Sequence, residues 1–147
     1  MKTLYMETTN KEPEETAGEI QKFLKGYNLA KFMMDYEAGE ISGVIFSISK
    51  GGREIPFKLP INHRPLWEMA QARQTKYIRS EAQARRVAWR QILRWIQSQM
   101  ALIDTGMVEL EEVFLPYMII DTRKQITVFN QYQSNLPSLT HGKKSEE

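Results

Sequence analysis

The segment from Ser80 to Ile103 carries the clearest helical periodicity in the chain. Its apolar positions recur every three or four residues, as one face of an α-helix requires. They are Ala88, Trp89, Ile92, Leu93, Ile96, Met100 and Ile103. Ser80 and Gln83 have the spacing of a capping box, and Gly106 suits the end of the helix. A long amphipathic helix must bury its apolar face, so the rest of the chain has to cover it.

The residues before this helix predict one short helix and then three antiparallel strands. The helix spans 14–25, with Gly26 as its terminator. The strands span 29–36, 43–50 and 53–59, and they are separated by a turn at 37–40 and by Gly51-Gly52. Pro56 is typical of an edge strand, because proline cannot donate to a central ladder.

Further elements follow the strands. Helices are predicted at 64–74 and 109–115, and a terminal hairpin from 117–120 and 125–129. The sequence thus predicts an α+β, two-layer fold, in which an N-terminal helix and a long C-terminal amphipathic helix cover a three-stranded antiparallel sheet. Trp89 and Trp95 are expected at or near the seam. We expect a single domain over 14–133, between a disordered acidic segment at 1–13 and a disordered tail at 134–147.

Composition excludes several classes of protein. The chain of 147 residues contains no cysteine, so disulfide scaffolds and zinc sites built on cysteine are ruled out. No stretch reaches the roughly 20 apolar residues that a membrane span requires. The N-terminus is polar and acidic, without the apolar core of a secretory signal. These features predict a soluble, intracellular protein.

The formal net charge is only +2, because a basic segment of the chain is offset by an acidic one. Residues 73–94 carry seven cations against Glu81, whereas residues 7–19 carry five glutamates against Lys11. Within the basic segment, Arg86, Arg90 and Arg94 are spaced four apart and align on one helical face. Like charges at this spacing repel one another slightly, and an anionic partner would relieve that repulsion.

Four interpretations of this basic face remain open. Phosphates are one partner, because a guanidinium can bind two oxygens at once. A solvated face is another, since arginine is a good helix former whose stem covers apolar surface. The acidic N-terminal segment can also pair with this face within the molecule. An acidic protein or a phosphorylated ligand is the fourth.

The order of helix, three strands and helix resembles a double-stranded-RNA-binding domain. In that family the last helix opens with a serine and continues through an alanine- and lysine-rich pattern. Ser80, Ala84, Arg85 and Ala88 match it. The resemblance implies that the N-terminal end of the long helix lies on phosphates across a groove, where recognition is by shape.

Three runs resemble small uncharacterised proteins of bacteriophages and prophages. They are Gly-Arg-Glu-Ile-Pro-Phe-Lys-Leu-Pro (52–60), Arg-Val-Ala-Trp-Arg-Gln-Ile-Leu-Arg-Trp (86–95) and Glu-Val-Phe-Leu-Pro-Tyr-Met (112–118). This resemblance carries no established activity. It implies a bacterial cytoplasmic setting, with a role in DNA metabolism or in interference with host factors.

The sequence offers little catalytic or metal-binding chemistry. His63 and His141 have no partner at metal-ligand spacing. The best catalytic candidate is a carboxylate–lysine set of the kind that metal-dependent nucleases use, which lies on or beside adjacent strands. Its members are Asp35, Glu37, Glu54 and Lys58. Phe32, Tyr36 and Phe46 lie on the predicted sheet. Aromatic side chains at such positions either pack in the hydrophobic core or stack on the bases of a single-stranded nucleic acid.

The sequence therefore predicts a non-enzymatic, phage-type nucleic-acid-binding protein without metal or cofactor. Its predicted phosphate contacts are Arg73, Lys76, Arg79, Arg86, Arg90 and Arg94, with Tyr77 beside them. The alternative is a protein-interaction module, an inhibitor of a host factor or a subunit of an assembly, that docks through the Trp- and Arg-bearing long helix. A homodimer through that helix fits either hypothesis.

Overall fold

The computed structural model describes the backbone of residues 3–145 and the side chains of residues 3–136. The elements run in the order α1 (Pro13–Leu24), β1 (Leu29–Glu37), β2 (Glu40–Lys50), β3 (Arg53–Lys58), α2 (Arg64–Arg73), α3 (Glu81–Asp104), α4 (Leu110–Phe114), β4 (Ile119–Asp121), β5 (Ile126–Thr127) and α5 (Val128–Ser145). This order confirms the α+β class, with the long helix in its predicted place. Among the described residues, no helix combines the length and the apolar character needed to cross a membrane.

The principal sheet has the order β1-β2-β3, and both pairs of strands are antiparallel. The turn between β1 and β2 places Ala38 at φ 51° and Gly39 at φ 81°. The turn between β2 and β3 places Gly51 at φ 58° and Gly52 at φ 75°. Two central residues with positive φ are what a tight primed turn requires, and both predicted hairpins are confirmed.

The core lies between one face of the sheet and the helices α1, α3 and α4. Its sheet side includes Phe46 and Phe57, whose rings lie 5.4 Å apart. Phe114 of α4 contacts both rings, at centroid distances of 6.4 and 5.8 Å. Trp89 of α3 is buried in the same cluster, and Trp95 packs against it. Trp89 and Trp95 therefore lie at the predicted interface between the helices and the sheet.

The N-terminal ends of α1 and α3 are both capped by side chains. Glu12 and Glu15 form a reciprocal capping box at α1. At α3 the Ser80 hydroxyl accepts a hydrogen bond from the backbone N–H of Gln83 at 3.1 Å, as predicted. The predicted capping box is incomplete, however, because Oε1 of Gln83 accepts a hydrogen bond from Arg86 Nη1 at 3.0 Å, while Nε2 of Gln83 donates to the carbonyl oxygens of Glu7 and Thr9.

A residue in the left-handed region follows both α1 and α3. After α1 the chain continues past Gly26 in a 3₁₀ turn and changes direction at Asn28 (φ 62°), so the predicted terminator is wrong. Asparagine tolerates this conformation better than most residues with a side chain. After α3, Gly106 (φ 80°) is the predicted C-cap. Its N–H bonds the carbonyl of Ile103, and that of Met107 bonds the carbonyl of Leu102, both at 3.1 Å.

The predicted terminal hairpin is present but shorter than expected. β4 and β5 pair only over 119–121 and 126–127, and Val128 begins α5. Thr127 explains the difference, because its hydroxyl accepts a hydrogen bond from the N–H of Asn130 at 3.2 Å. The Asn130 side chain in turn accepts the N–H of Thr127 at 3.0 Å. This reciprocal cap starts a helix where β-branched residues suggest a strand.

Candidate nucleic-acid interface

The central arginine of the predicted basic row is enclosed within the protein. The Arg90 side chain is only 10% exposed. Its guanidinium donates to the Thr16 hydroxyl at 3.2 Å and to the Glu19 carboxylate, both on α1. In this arrangement Arg90 holds α1 against α3 and is not open to a phosphate.

The arginines on either side of Arg90 differ in their partners. Arg86 Nε donates to Glu12 at 2.7 Å, and Arg86 Nη1 donates to Gln83 at 3.0 Å. Arg94 donates to the neutral Gln97 at 2.9 Å and forms no ion pair with any described residue. Carboxylates of α1 and its cap thus neutralise two members of the row, which is the intramolecular pairing that the sequence left open.

The loop between α2 and α3 presents the remaining predicted cations. Gln74 ends α2 in the left-handed region at φ 51°. Thr75 and Ile78 are buried, and the Thr75 hydroxyl donates to the carbonyl of Ile78 at 3.3 Å. These two buried residues anchor the loop and leave the side chains of Lys76 and Tyr77 exposed to solvent. The loop is therefore preorganised for binding a ligand.

The exposed side chains around this loop form what we call the loop cluster: Arg73, Lys76, Tyr77 and Arg79. None of its three cations forms an ion pair with the residues that the structure describes. Arg79 Nε donates to the carbonyl of Lys76 at 3.0 Å, which fixes its stem on the loop. Lys76 Nζ lies 5.3 Å from the centre of the Tyr77 ring, and Tyr77 is 47% exposed. The cluster therefore combines unneutralised positive charge with an accessible aromatic face.

The aromatic residues considered for base stacking belong mostly to the core. Phe46 is fully buried and Phe32 packs against the core, whereas Tyr36 is exposed. Trp89 is also buried, so it offers no docking surface on the long helix. Trp95 is half-buried and meets Phe114 and Tyr117 edge-on, at 5.3 and 5.4 Å. The docking face predicted for the protein-interaction alternative is thus largely an internal surface.

The carboxylate–lysine set does not converge. Glu54, near the β2–β3 turn, accepts a hydrogen bond from Ser47 at 2.7 Å and lies 3.3 Å from Lys31. The Ser47 hydroxyl is the main cause that lowers the pKa of Glu54. Glu37 lies at the opposite end of the sheet, beside the β1–β2 turn. Among the described residues no group of three acidic, histidine or cysteine side chains could hold a metal ion.

His63 has a partner that its sequence position does not reveal. Its Nε2 lies 2.9 Å from Oε1 of Glu81, eighteen residues later, and Arg85 lies 3.5 Å from the same oxygen. The hydrogen bond with His63 is the main cause that lowers the pKa of Glu81. The pair borders a cleft of about 380 Å³, which Glu37 and Glu40 also line. No spacing rule could have found this contact, because the fold alone brings the loop onto α3.

Comparisons with protein-family models, with curated proteins and with solved structures found no match to this chain.

Proposed function

We propose that this protein binds the phosphate backbone of a nucleic acid through the loop cluster, without catalysing a reaction. The observation that carries the proposal is the exposure of Arg73, Lys76 and Arg79 without a carboxylate partner among the described residues. Unpaired, exposed cations that are close in the chain are the usual electrostatic footprint of a nucleic-acid-binding surface.

The chemistry of the cluster suits phosphates with little dependence on sequence. Arginine can bind two phosphate oxygens at once, while lysine adds a compact charge. The exposed ring of Tyr77 can stack on an unpaired base or lie against a sugar. Lys76, Tyr77 and Arg79 lie on the loop and Arg73 is the last residue of α2, so the cluster presents no helical face that would read base edges in a groove. We therefore expect affinity to depend on charge and strand type more than on base sequence.

The long helix contributes less than its sequence suggests. Arg90 holds α1 in place, and Arg86 is neutralised by Glu12. Arg94 keeps its charge, because its partner Gln97 is neutral. We therefore place the principal phosphate contacts in and beside the loop that leads to the N-terminal end of α3, with Arg94 as a secondary contact. This is also the end that the resemblance to double-stranded-RNA-binding domains implies.

The test is a fluorescence-anisotropy titration of labelled single- and double-stranded DNA and RNA at several salt concentrations. Three phosphate contacts on a duplex predict a slope of about −3 when the logarithm of the binding constant is plotted against that of the salt concentration. The variant Arg73→Glu/Lys76→Glu/Arg79→Glu should lose most of the affinity and flatten this slope. Its circular dichroism and unfolding midpoint establish that it remains folded.

A matched variant separates a local surface from a general effect of net charge. Arg53→Glu/Arg123→Glu/Lys124→Glu changes the net charge equally, at exposed positions on two other turns. We expect it to retain most of the binding. Absence of binding by the wild-type chain to all four probes contradicts the proposal, and so does an equal loss in the two variants.

Replacing all three arginines of the α3 row is not a usable test. Arg90→Glu would place a carboxylate beside Glu19 in a nearly enclosed site, so the variant would lose stability for reasons unrelated to binding. Arg94→Glu is the informative single change on this face. It should weaken binding several-fold if Arg94 is a secondary contact.

A bacteriophage or prophage setting, in the bacterial cytoplasm, is part of the same proposal. It is supported by the sequence resemblance of 52–60, 86–95 and 112–118 alone. Binding to the nucleic acid of a bacterial host or of a phage would agree with a role in DNA metabolism.

Protein interaction is the second candidate function, and one observation on α5 favours it. Phe129 and Tyr132 are 45% and 54% exposed, and their rings stack 6.4 Å apart. From Gln125 to Thr140 the sequence carries no charged residue, so this surface would attract an apolar protein surface and not a polyanion. A complex with a host protein that survives nuclease and high salt, and that Phe129→Ala/Tyr132→Ala abolishes, would establish this function.

A further inference from the structure

β1 lies at an edge of the principal sheet. It pairs with β2 on one side only, and among the described residues no strand pairs with its other side. Five of its nine residues are exposed. An edge strand presents a row of backbone N–H and C=O groups that can pair with another strand.

The side chains of β1 alternate between the core and the outer face of the sheet. Phe32 and Met34 pack against the core. Lys31, Met33 and Asp35 therefore lie on the outer face, and Met33 is 48% exposed. The pairing with β2 is regular from Lys31 to Asp35, and the register shifts only beyond these two residues. The exposed edge thus has a regular stretch of five residues centred on Met33.

We propose that two copies of this chain pair through β1, antiparallel and centred on Met33. In this register Met33 lies opposite Met33 of the partner subunit, and Lys31 lies opposite Asp35 of the partner subunit. The two-fold symmetry creates the Lys31–Asp35 pair twice. Directly opposed side chains of antiparallel strands approach closely enough for an ion pair, and the two three-stranded sheets become one sheet of six strands.

The charge pattern selects this register over its neighbours. A shift by one residue would place outer-face side chains opposite core-face side chains. A shift by two in one direction puts Lys31 opposite Met33, and in the other direction it puts Asp35 opposite Met33. Only the register centred on Met33 matches the charged residues with each other and the apolar residue with itself.

Both charged residues are available for this contact. Asp35 forms no ion pair with any described residue. Lys31 lies 3.3 Å from Glu54, but its side chain is 78% exposed, and an exposed ion pair of this kind contributes little. The lysine can therefore accept a second carboxylate without a significant loss. This surface is separate from the loop cluster and does not depend on nucleic-acid binding.

A single cysteine tests the centre of the proposed interface. The chain has no cysteine, so Met33→Cys creates one thiol per subunit, opposite its symmetry mate. Opposed residues on antiparallel strands meet the distance that a disulfide requires. Mild oxidation should then convert the variant to a covalent dimer much faster than Met107→Cys, a control at a position that is 70% exposed in the loop after α3.

Charge reversal tests the register. Lys31→Asp and Asp35→Lys each place like charges opposite one another twice in a homodimer, which should weaken the dimer by about ten-fold. Mixed in equal amounts, the two variants should form a heterodimer of about wild-type affinity, because all opposed charges are then complementary. The double variant Lys31→Asp/Asp35→Lys should dimerise like the wild type. Lys22→Asp, on α1, is the matched control.

Sedimentation velocity over a range of concentrations gives the dissociation constants. A wild-type chain that remains monomeric at concentrations on the order of 1 mM overturns the proposal. A dimer that ignores both single reversals also overturns it, as does a Met33→Cys variant that oxidises no faster than the control. Heterodimer formation by the two reversed variants supports it.

Discussion

Arg90 of α3 and Glu19 of α1 form an ion pair at a site where the arginine side chain is only 10% exposed. The same guanidinium donates to the buried hydroxyl of Thr16. A guanidinium that is taken out of water needs such partners, because leaving it unpaired costs several kcal/mol. The pair therefore sets the position of α1 along α3, and it removes the central charge from the predicted binding row.

Replacing Arg90 by alanine should destabilise the protein. We expect Arg90→Ala to lower the free energy of unfolding by about 2 kcal/mol, because the Thr16 hydroxyl loses its partner and the stem of the arginine leaves a void. Urea unfolding measures this change. Arg94→Ala, on the same helix, should cost less than about 0.5 kcal/mol, since it removes only a hydrogen bond to Gln97. Equal costs would contradict the assigned role of Arg90.

Gln83 should hold the N-terminal segment against α3. Its side-chain amide donates to the carbonyls of Glu7 and Thr9 at 3.0 and 2.8 Å, and Gln91 donates to that of Tyr5 at 2.9 Å. Gln83→Ala removes two of these contacts, so amide hydrogen exchange should accelerate across residues 4–9 while the centre of α3 stays protected. Gln97→Ala is the control. Exchange that is already unprotected in the wild type would agree instead with the disorder predicted for 1–13.

Two glycine substitutions should have opposite signs. Gly106→Ala forces a side chain into the left-handed region at φ 80° and should cost about 1 kcal/mol. Gly18 lies inside α1, and a Cβ there would meet no atom within 4 Å. Gly18→Ala should therefore stabilise the protein by about 0.5–1 kcal/mol. Thermal unfolding of the two variants gives both values, and a shift of the same sign in each would contradict the assignment.

The Glu81 carboxylate should make stability dependent on pH in the acid range. Its pKa is lowered below the ordinary value of 4.5, chiefly by the hydrogen bond with His63 and then by Arg85. A lowered pKa in the folded state contributes stability that is complete above 4.5 and is lost as the pH falls through the folded value. The difference in unfolding free energy between wild type and Glu81→Gln should therefore shrink from pH 6 to pH 3. A constant difference would show that this carboxylate has the same pKa in both states.

Most of the secondary structure could be predicted because it depends on local rules. The apolar period of α3, the serine at its start and Gly106 at its end all act within a few residues. The two hairpins follow from turns that need positive φ at both central residues. The prediction was wrong where a local rule had a competitor. Thr127 can cap a helix as well as end a strand. Its reciprocal hydrogen bonds with Asn130 stabilise the start of the helix.

The candidate interface was only partly predictable. The cations of the loop cluster are exposed, as a binding surface requires, and the sequence named each of them. The sequence could not say which arginines of the row would be paired, because Glu12 and Glu19 lie more than seventy residues from their partners. The contact between His63 and Glu81 likewise depends on how a loop crosses α3.

By itself the sequence determined where helices, strands and turns form, and which faces of them are apolar, since backbone sterics and side-chain periodicity act over a few residues. Only the tertiary structure decided which charges remain free. Packing α1 on α3 carries Glu19 and Thr16 to Arg90 and buries Thr16 and the arginine, while the loop before α3 keeps Lys76 and Arg79 in solvent. The physical reason is that an ion pair depends on distance in space and on the removal of water, and neither is set by separation along the chain.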